Sequence, residues 1–147
     1  MKRILQIVFI VLAVMLIVAQ AIRPERTNPP VTGEINAPPE IKSILRKTCY
    51  NCHSNETVWP WYSQVAPASW LLVYDVSNAR KRVNFSEWSS LPPQRQAKKL
   101  KKAEEDIREG EMPLWYYLPL HPEARLSDAD KSALRAWLKE QASAQGE

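Results

Sequence analysis

Cys49, Tyr50, Asn51, Cys52 and His53 stand in a row and include both cysteines of the chain and one of its two histidines. The CxxCH spacing puts two thiols on one tight helical turn with an imidazole directly after them, the pattern of c-type haem attachment. Each thiol can form a thioether with one vinyl group of the same porphyrin, and the next residue then lies beneath the ring, where its nitrogen can bind the iron. Cys49 and Cys52 are therefore the expected attachment points of one covalent haem c, and His53 its expected proximal ligand. In a domain of little more than a hundred residues, a porphyrin would form a large share of the apolar core, so the motif constrains folding as well as chemistry.

Three other uses of these residues compete with that reading. A thioredoxin-like dithiol expects a strand leading into the CxxC and leaves His53 idle. A zinc site could draw on Cys49, Cys52, His53 and His121, but adjacent Cys52 and His53 are awkward tetrahedral partners and no second CxxC or HxxxH half is present. A short-loop disulfide is the third.

Residues 4–22 are nearly all apolar, interrupted only by Gln6 and Gln20, and follow Lys2 and Arg3. Such a segment is long enough to cross a bilayer as a helix. The basic residues before it favour a cytoplasmic N-terminus and delivery of the remainder to the outer side, a bias that Arg23 and Arg26 weaken without reversing. Ala19, Gln20 and Ala21 also form an AxA site, so cleavage as a signal peptide is the competing reading; the apolar stretch exceeds the usual signal core of ~7–15 residues, which favours an anchor.

Residues 23–39 include Pro24, Pro29, Pro30, Pro38 and Pro39, a composition that favours extended chain and reads as a linker. Residues 40–147 then suffice for one domain. Of the 20 basic residues, Lys2, Arg3 and Arg23 fall before position 24, which leaves 17 against 16 acidic ones and no field for binding nucleic acid. The run Arg95, Lys98, Lys99, Lys101 and Lys102 reads as a solvated helix face, with a docking patch for an acidic redox partner as the alternative.

The periodic signals in the domain are helical. A helix over 40–48 places Ile41, Ile44 and Leu45 on one face and runs into Cys49. A second covers 66–82 with Trp70, Leu71, Tyr74 and Val76. A third runs from about 92 to 109 with Leu100, Ala103 and Ile107 on its apolar side and Gly110 ending it. The last begins at the Ser127/Asp130 capping box and carries Ala133, Leu134, Trp137 and Leu138 at helical spacing. No segment alternates as a strand does, so the expectation is an all-α, cytochrome c-like domain around one haem, preceded by a transmembrane helix.

Few residues can serve as a sixth iron ligand. Met1 and Met15 lie in the membrane segment, which leaves Met112 and the second histidine, His121. Met112 precedes Pro113 and is pushed toward an extended backbone, on a loop after Gly110 from which its thioether can aim across a haem face. His–Met ligation would raise the reduction potential. His121 precedes Pro122 and keeps bis-histidine ligation open. Trp59, Trp61, Tyr62, Trp70 and Trp88 are expected as core residues and pocket walls.

Residues 49–57 and 59–63, then Ala66, Pro67, Ser69 and Trp70, then 84–88, and finally Met112, Pro113, Tyr117, His121, Pro122, Ala124 and Arg125 together resemble the bacterial haem-binding domain family, monohaem relatives of cytochrome c. The segment from Leu126 to Leu138 resembles the terminal helix of class I cytochromes c. The resemblance spans roughly 40–140 and implies a c-type haem held by Cys49 and Cys52, His53 as proximal ligand and Met112 as distal ligand. It also implies an extracytoplasmic, periplasmic position at a bacterial inner membrane, and attachment by the cytochrome c maturation machinery. The function expected is one-electron transfer with a respiratory or periplasmic redox partner. The alternative is a gas sensor or peroxidase-like enzyme with a labile distal site, and a third is a structural haem domain tethering a membrane assembly.

Overall fold

Apolar residues recurring at helical intervals coil this chain into six α-helices, with no strand among the described residues, so the all-α expectation holds. A computed structural model describes residues 1–146. The helices are α1 (Lys2–Ala19), α2 (Pro39–Thr48), α3 (Tyr50–His53), α4 (Ala68–Arg82), α5 (Pro93–Glu109) and α6 (Asp128–Gly146), with short 3-10 turns at Trp61–Gln64, Trp88–Ser90 and Pro122–Ala124. α1 has 18 residues, a mean hydropathy of 2.4 and no buried residue. At 1.5 Å per residue it extends about 27 Å, close to the thickness of a hydrocarbon core. The apolar stretch read from sequence outlasts the helix, which stops at Ala19.

The proline-rich stretch forms no helix before Pro39 opens α2, and it is strapped to the domain along its length. Arg26 donates to the Ser63 carbonyl (2.8 Å) and Asn28 to that of Thr57 (2.9 Å). Both the Thr32 and Gly33 amides donate to Ser86 O, and Ile35 N donates to Phe85 O (2.9 Å). Ile35 is buried in the main core. Gly33 is needed for this approach, because a Cβ there would stand 1.7 Å from Ser89 Oγ.

α5 and α6 share the most extensive helix packing, and α2 lies against α3 and α6. Their buried residues are those expected: Ile41, Ile44 and Leu45 on α2, Leu100 and Ile107 on α5, Leu134, Trp137 and Leu138 on α6. Ser127 and Asp130 form the capping box, with Asp130 N donating to Ser127 Oγ (3.0 Å) and Ser127 N to Asp130 Oδ2 (3.2 Å). Lys47 pairs with the same carboxylate at 2.8 Å. An exposed pair of this kind contributes about 0–1 kcal/mol, whereas burying one leucine contributes about 1.5–3 kcal/mol. Packing therefore places α6, and the ion pair only trims its N-terminus.

α4 departs from expectation in its orientation. Leu72, Val76 and Ala79 face inward, while Trp70, Leu71 and Tyr74 are exposed. The helix carries two apolar stripes, and contacts distant in sequence select the one made of smaller side chains.

One buried carboxylate ties α5 to α6. Glu104 accepts from Arg135 Nε at 2.8 Å and lies 3.5 Å from Lys139 Nζ. The Arg135 hydrogen bond holds its pKa below the usual glutamate value against the opposing effect of burial, with Lys139 and Arg135 charges adding to the depression. A depressed folded pKa gives stability that is present above the unfolded value and lost as pH falls through the folded one. Glu104→Gln is therefore expected to destabilise the protein at about pH 7, with the difference shrinking as pH falls below the ordinary glutamate range, as read by urea unfolding across an acid series.

Candidate functional site

The CxxCH residues sit where α2 stops and α3 begins. Cys49 N closes the last turn of α2 on Leu45 O (2.8 Å), and His53 N closes α3 on Cys49 O (2.8 Å). Tyr50 anchors the turn from below, buried and stacked on Phe85 at 5.5 Å between centroids. The segment after the motif is locked to the segment after α4. Phe85 N donates to His53 O (2.8 Å), Asn55 N donates to Ser86 Oγ (2.9 Å), and Asn84 Nδ2 donates to Asn55 Oδ1 (2.9 Å). Arg80 gathers the strap and the motif around one guanidinium, donating to Ser54 O, Thr27 O, Asn28 Oδ1 and Thr57 Oγ1 at 2.7–2.9 Å. Residues 54–57 and 84–88, separate strings in the sequence, are thus one structural unit.

His53 Nδ1 stands 3.1 Å from the Val83 carbonyl. Burial pushes the imidazole pKa down, with the Val83 carbonyl opposing, so the ring is held toward its neutral form. A proton on Nδ1, donated to Val83, leaves Nε2 with its lone pair for a ligand; a backbone carbonyl behind a histidine is the usual way a metal-binding tautomer is fixed.

His53 lines a cavity of about 700 Å³. Cys49 and Met112 line it too, so three of the residues singled out from sequence meet around one cavity. Val83, Phe85, Ile107 and Leu126 make its interior apolar. Met112 reaches it because α5 ends in a Schellman closure. Gly110 adopts φ 75°, Gly110 N bonds Ile107 O, and both Glu111 N and Met112 N bond Asp106 O. Cys52 and His121 do not line the cavity. Cys52 lies three residues from Cys49 on the side of α3 toward Asp75 and Arg80. His121 has both ring nitrogens engaged, Nε2 with Tyr62 Oη at 2.6 Å and Nδ1 with Glu123 Oε1 at 3.0 Å, and its ring stacks on Tyr117 at 4.0 Å.

Both cysteines are free thiols. Burial, with Cys52 adding, pushes Cys49 up to about 12, and burial with the Asp75 carboxylate pushes Cys52 up to about 11. Reactive redox dithiols need the opposite shift, which counts against the thioredoxin-like reading. Among the described residues no group of three or more histidine, cysteine, aspartate or glutamate side chains is placed to hold a metal ion, which counts against zinc.

One expectation is extended and one corrected. The basic run is a solvated face that also borders the cavity: Arg95, Lys98 and Lys102 are exposed, and together with Lys99 and Arg82 they line its rim. Lys99 is spent on the C-terminus of α4, donating to the Lys81 and Arg82 carbonyls, and Lys102 pairs with Asp106 at 2.9 Å. Among the described residues, the Arg82, Arg95 and Lys98 side chains have no hydrogen-bond or ion-pair partner. Burial and the nearby Arg95 charge both lower the Lys99 pKa, a sign of cations crowded together. The sequence held the signal in the spacing of 95, 98, 99 and 102, which repeats at helical intervals and omits Lys101. The tryptophans are the correction. Trp88 is buried in the core, but Trp61 and Trp70 are exposed, and the aromatic side chain on the cavity wall is Phe85.

An apolar chamber with a thiol, an unprotonated imidazole nitrogen and a thioether on its wall, and unpaired cations at its rim, suits a flat apolar macrocycle that carries an iron and two carboxylates. Thr48 Oγ1, also on the wall and without a hydrogen-bond partner, leaves one more polar atom to be satisfied there. A family model described as a haem-binding domain matches residues 14–140. No curated protein and no solved structure matches the chain.

Proposed function

Because the chain belongs to the haem-binding domain family, we propose that it is a membrane-anchored, extracytoplasmic c-type cytochrome that carries single electrons. Cys49 and Cys52 would hold one haem through thioethers, and His53 and Met112 would be the ligands of its iron. The observation that carries this reading is the meeting of Cys49, His53 and Met112 around one apolar cavity. Bound haem supplies a one-electron iron couple; the protein's part is to set its environment. The Val83 carbonyl orients His53. Val83, Phe85, Ile107 and Leu126 exclude water. With His53 and Met112 both bound, the iron would have no open position, and His121, which does not line the cavity and has both nitrogens occupied, would supply no acid or base for peroxidase-like chemistry. Support for placement outside the cytoplasm comes from α1 with Lys2 and Arg3 ahead of it.

The test uses the matured full-length protein. Haem that stays on the polypeptide through denaturation and acid acetone, together with a reversible one-electron titration, supports the reading. Pigment shed on denaturation, or rapid carbon monoxide binding by the reduced protein, sinks it in favour of non-covalent binding or an open-site sensor.

The three unpaired cations are the residues best placed to meet the propionates. They favour the reduced iron, which carries one positive charge fewer. Arg95→Gln with Lys98→Gln is therefore expected to lower the midpoint potential by tens of millivolts, on the order of a screened charge at this range. It should also make the potential vary with pH in the mildly acid range, where the less well paired carboxylates now titrate. Lys101→Gln, on the same helix but off the cavity, should do neither in the same voltammetric series.

A further inference from the structure

α4 and the neighbouring 3-10 turn present an unpartnered aromatic face beside the end of α1. Trp70, Leu71 and Tyr74, 37%, 51% and 66% exposed, share one side of α4 by helical spacing, and Trp61, 74% exposed, is on the 3-10 turn packed against that helix. The face is fixed in place. Gln20, the residue after α1, exchanges two hydrogen bonds with Ala66, accepting from its amide at 2.9 Å and donating to its carbonyl at 3.2 Å. Trp70 Nε1 donates to Ile22 O at 2.9 Å, and Arg26 donates to Ser63 O at 2.8 Å. These bonds bind the α4 and 3-10 segment to the few residues where α1 would leave a bilayer.

We propose that Trp61, Trp70, Leu71 and Tyr74 form a second membrane contact, seated in the headgroup layer of the leaflet at the C-terminal end of α1. This deepens the membrane-anchored reading and rests on it. The occupant follows from continuity: the face joins the end of a helix whose length matches a hydrocarbon core. Its chemistry agrees, since tryptophan and tyrosine combine an apolar ring with a polar tip and concentrate at membrane interfaces. Arg23, alongside, adds a cation for anionic headgroups. The exposure of these large side chains, while Leu72, Val76 and Ala79 fill the inner face of α4, is then accounted for.

The experiment places the full-length protein in vesicles of phosphatidylethanolamine and phosphatidylglycerol containing a phospholipid with a photoactivatable carbene precursor at headgroup depth. Adducts are mapped by mass spectrometry. Labelling of both α1 and the segments at 61 and 70–74 is expected, and Trp61→Gln with Leu71→Gln and Tyr74→Gln should abolish the domain labelling while that of α1 remains. These three side chains are exposed, so the variant keeps its core. Adducts confined to α1 in the unsubstituted protein would overturn this proposal alone, as would cross-links between two copies of the chain across this face in place of lipid adducts. Absence of adducts on α1 as well would overturn the membrane reading beneath it.

Discussion

Replacing both Cys49 and Cys52 by alanine is expected to remove covalent haem completely: after denaturing electrophoresis the polypeptide should carry no pigment, and acid acetone should extract whatever haem the cells load. The size of the effect comes from chemistry. Non-covalent contacts with Val83, Phe85, Ile107 and Leu126 dissolve when the fold does, whereas a thioether does not. Each single variant keeps one such bond and should stay coloured on the gel. Folding should suffer too. The cavity wall is part of the main core through Val83, Phe85, Ile107 and Leu126, and a ligand that binds only the folded state stabilises it. Loss of the attached ring is thus expected to lower the melting temperature and increase proteolysis of the double variant. Retention of covalent haem by the double variant would refute thioether attachment at these positions.

The second large effect concerns Met112. In Met112→Ala the weak near-red charge-transfer band of oxidised sulfur-ligated haem should vanish, carbon monoxide should bind the reduced protein, and the midpoint potential should fall by more than about 59 mV, a tenfold change in a one-electron equilibrium. Met112, half-buried, also packs against the core, so truncating it costs part of the about 2–5 kcal/mol lost at a fully buried methionine. Met112→Leu separates the two roles, because a volume-conserving swap costs under about 1.5 kcal/mol. It should reproduce the spectral loss while retaining most of the stability. His121→Ala should leave the band in place, given that its ring nitrogens are turned to Tyr62 and Glu123. A band that survives Met112→Leu would remove sulfur from the iron.

The elements legible in sequence were those whose signals are local. The Ser127/Asp130 box marked the start of α6, Gly110 marked the end of α5, and Ile41, Ile44 and Leu45 marked the inner face of α2, because each depends on residues within a turn or two. What escaped depends on distant partners. α4 has helical spacing on both of its apolar stripes, and only the surrounding fold decides that Leu72, Val76 and Ala79 go inside. The composition of residues 23–39 carried no sign of its docking, since Thr32 and Gly33 bond a carbonyl more than fifty positions away. At the site, CxxCH and the Met112–Pro113 context pointed to residues that meet on the cavity wall, apart from Cys52. The basic side chains of α5 went unrecognised because lysines at helical spacing look alike whether they face water or a pocket rim. Arg80, which holds Ser54, Thr57 and the strap together, carries no sequence signal of its own.

The strap has a kinematic consequence. Seventeen free residues over 23–39 would give the domain a tether with a reach of roughly 20 Å, enough for a swinging arm that shuttles between donor and acceptor. Here the chain is bonded to the domain from Gln20 onward, so the arm is folded away and its reach is gone. On the proposed reading as an anchored electron carrier, donors and acceptors would have to come to a fixed address, either as diffusing carriers or as membrane neighbours whose own centres stand at matching height.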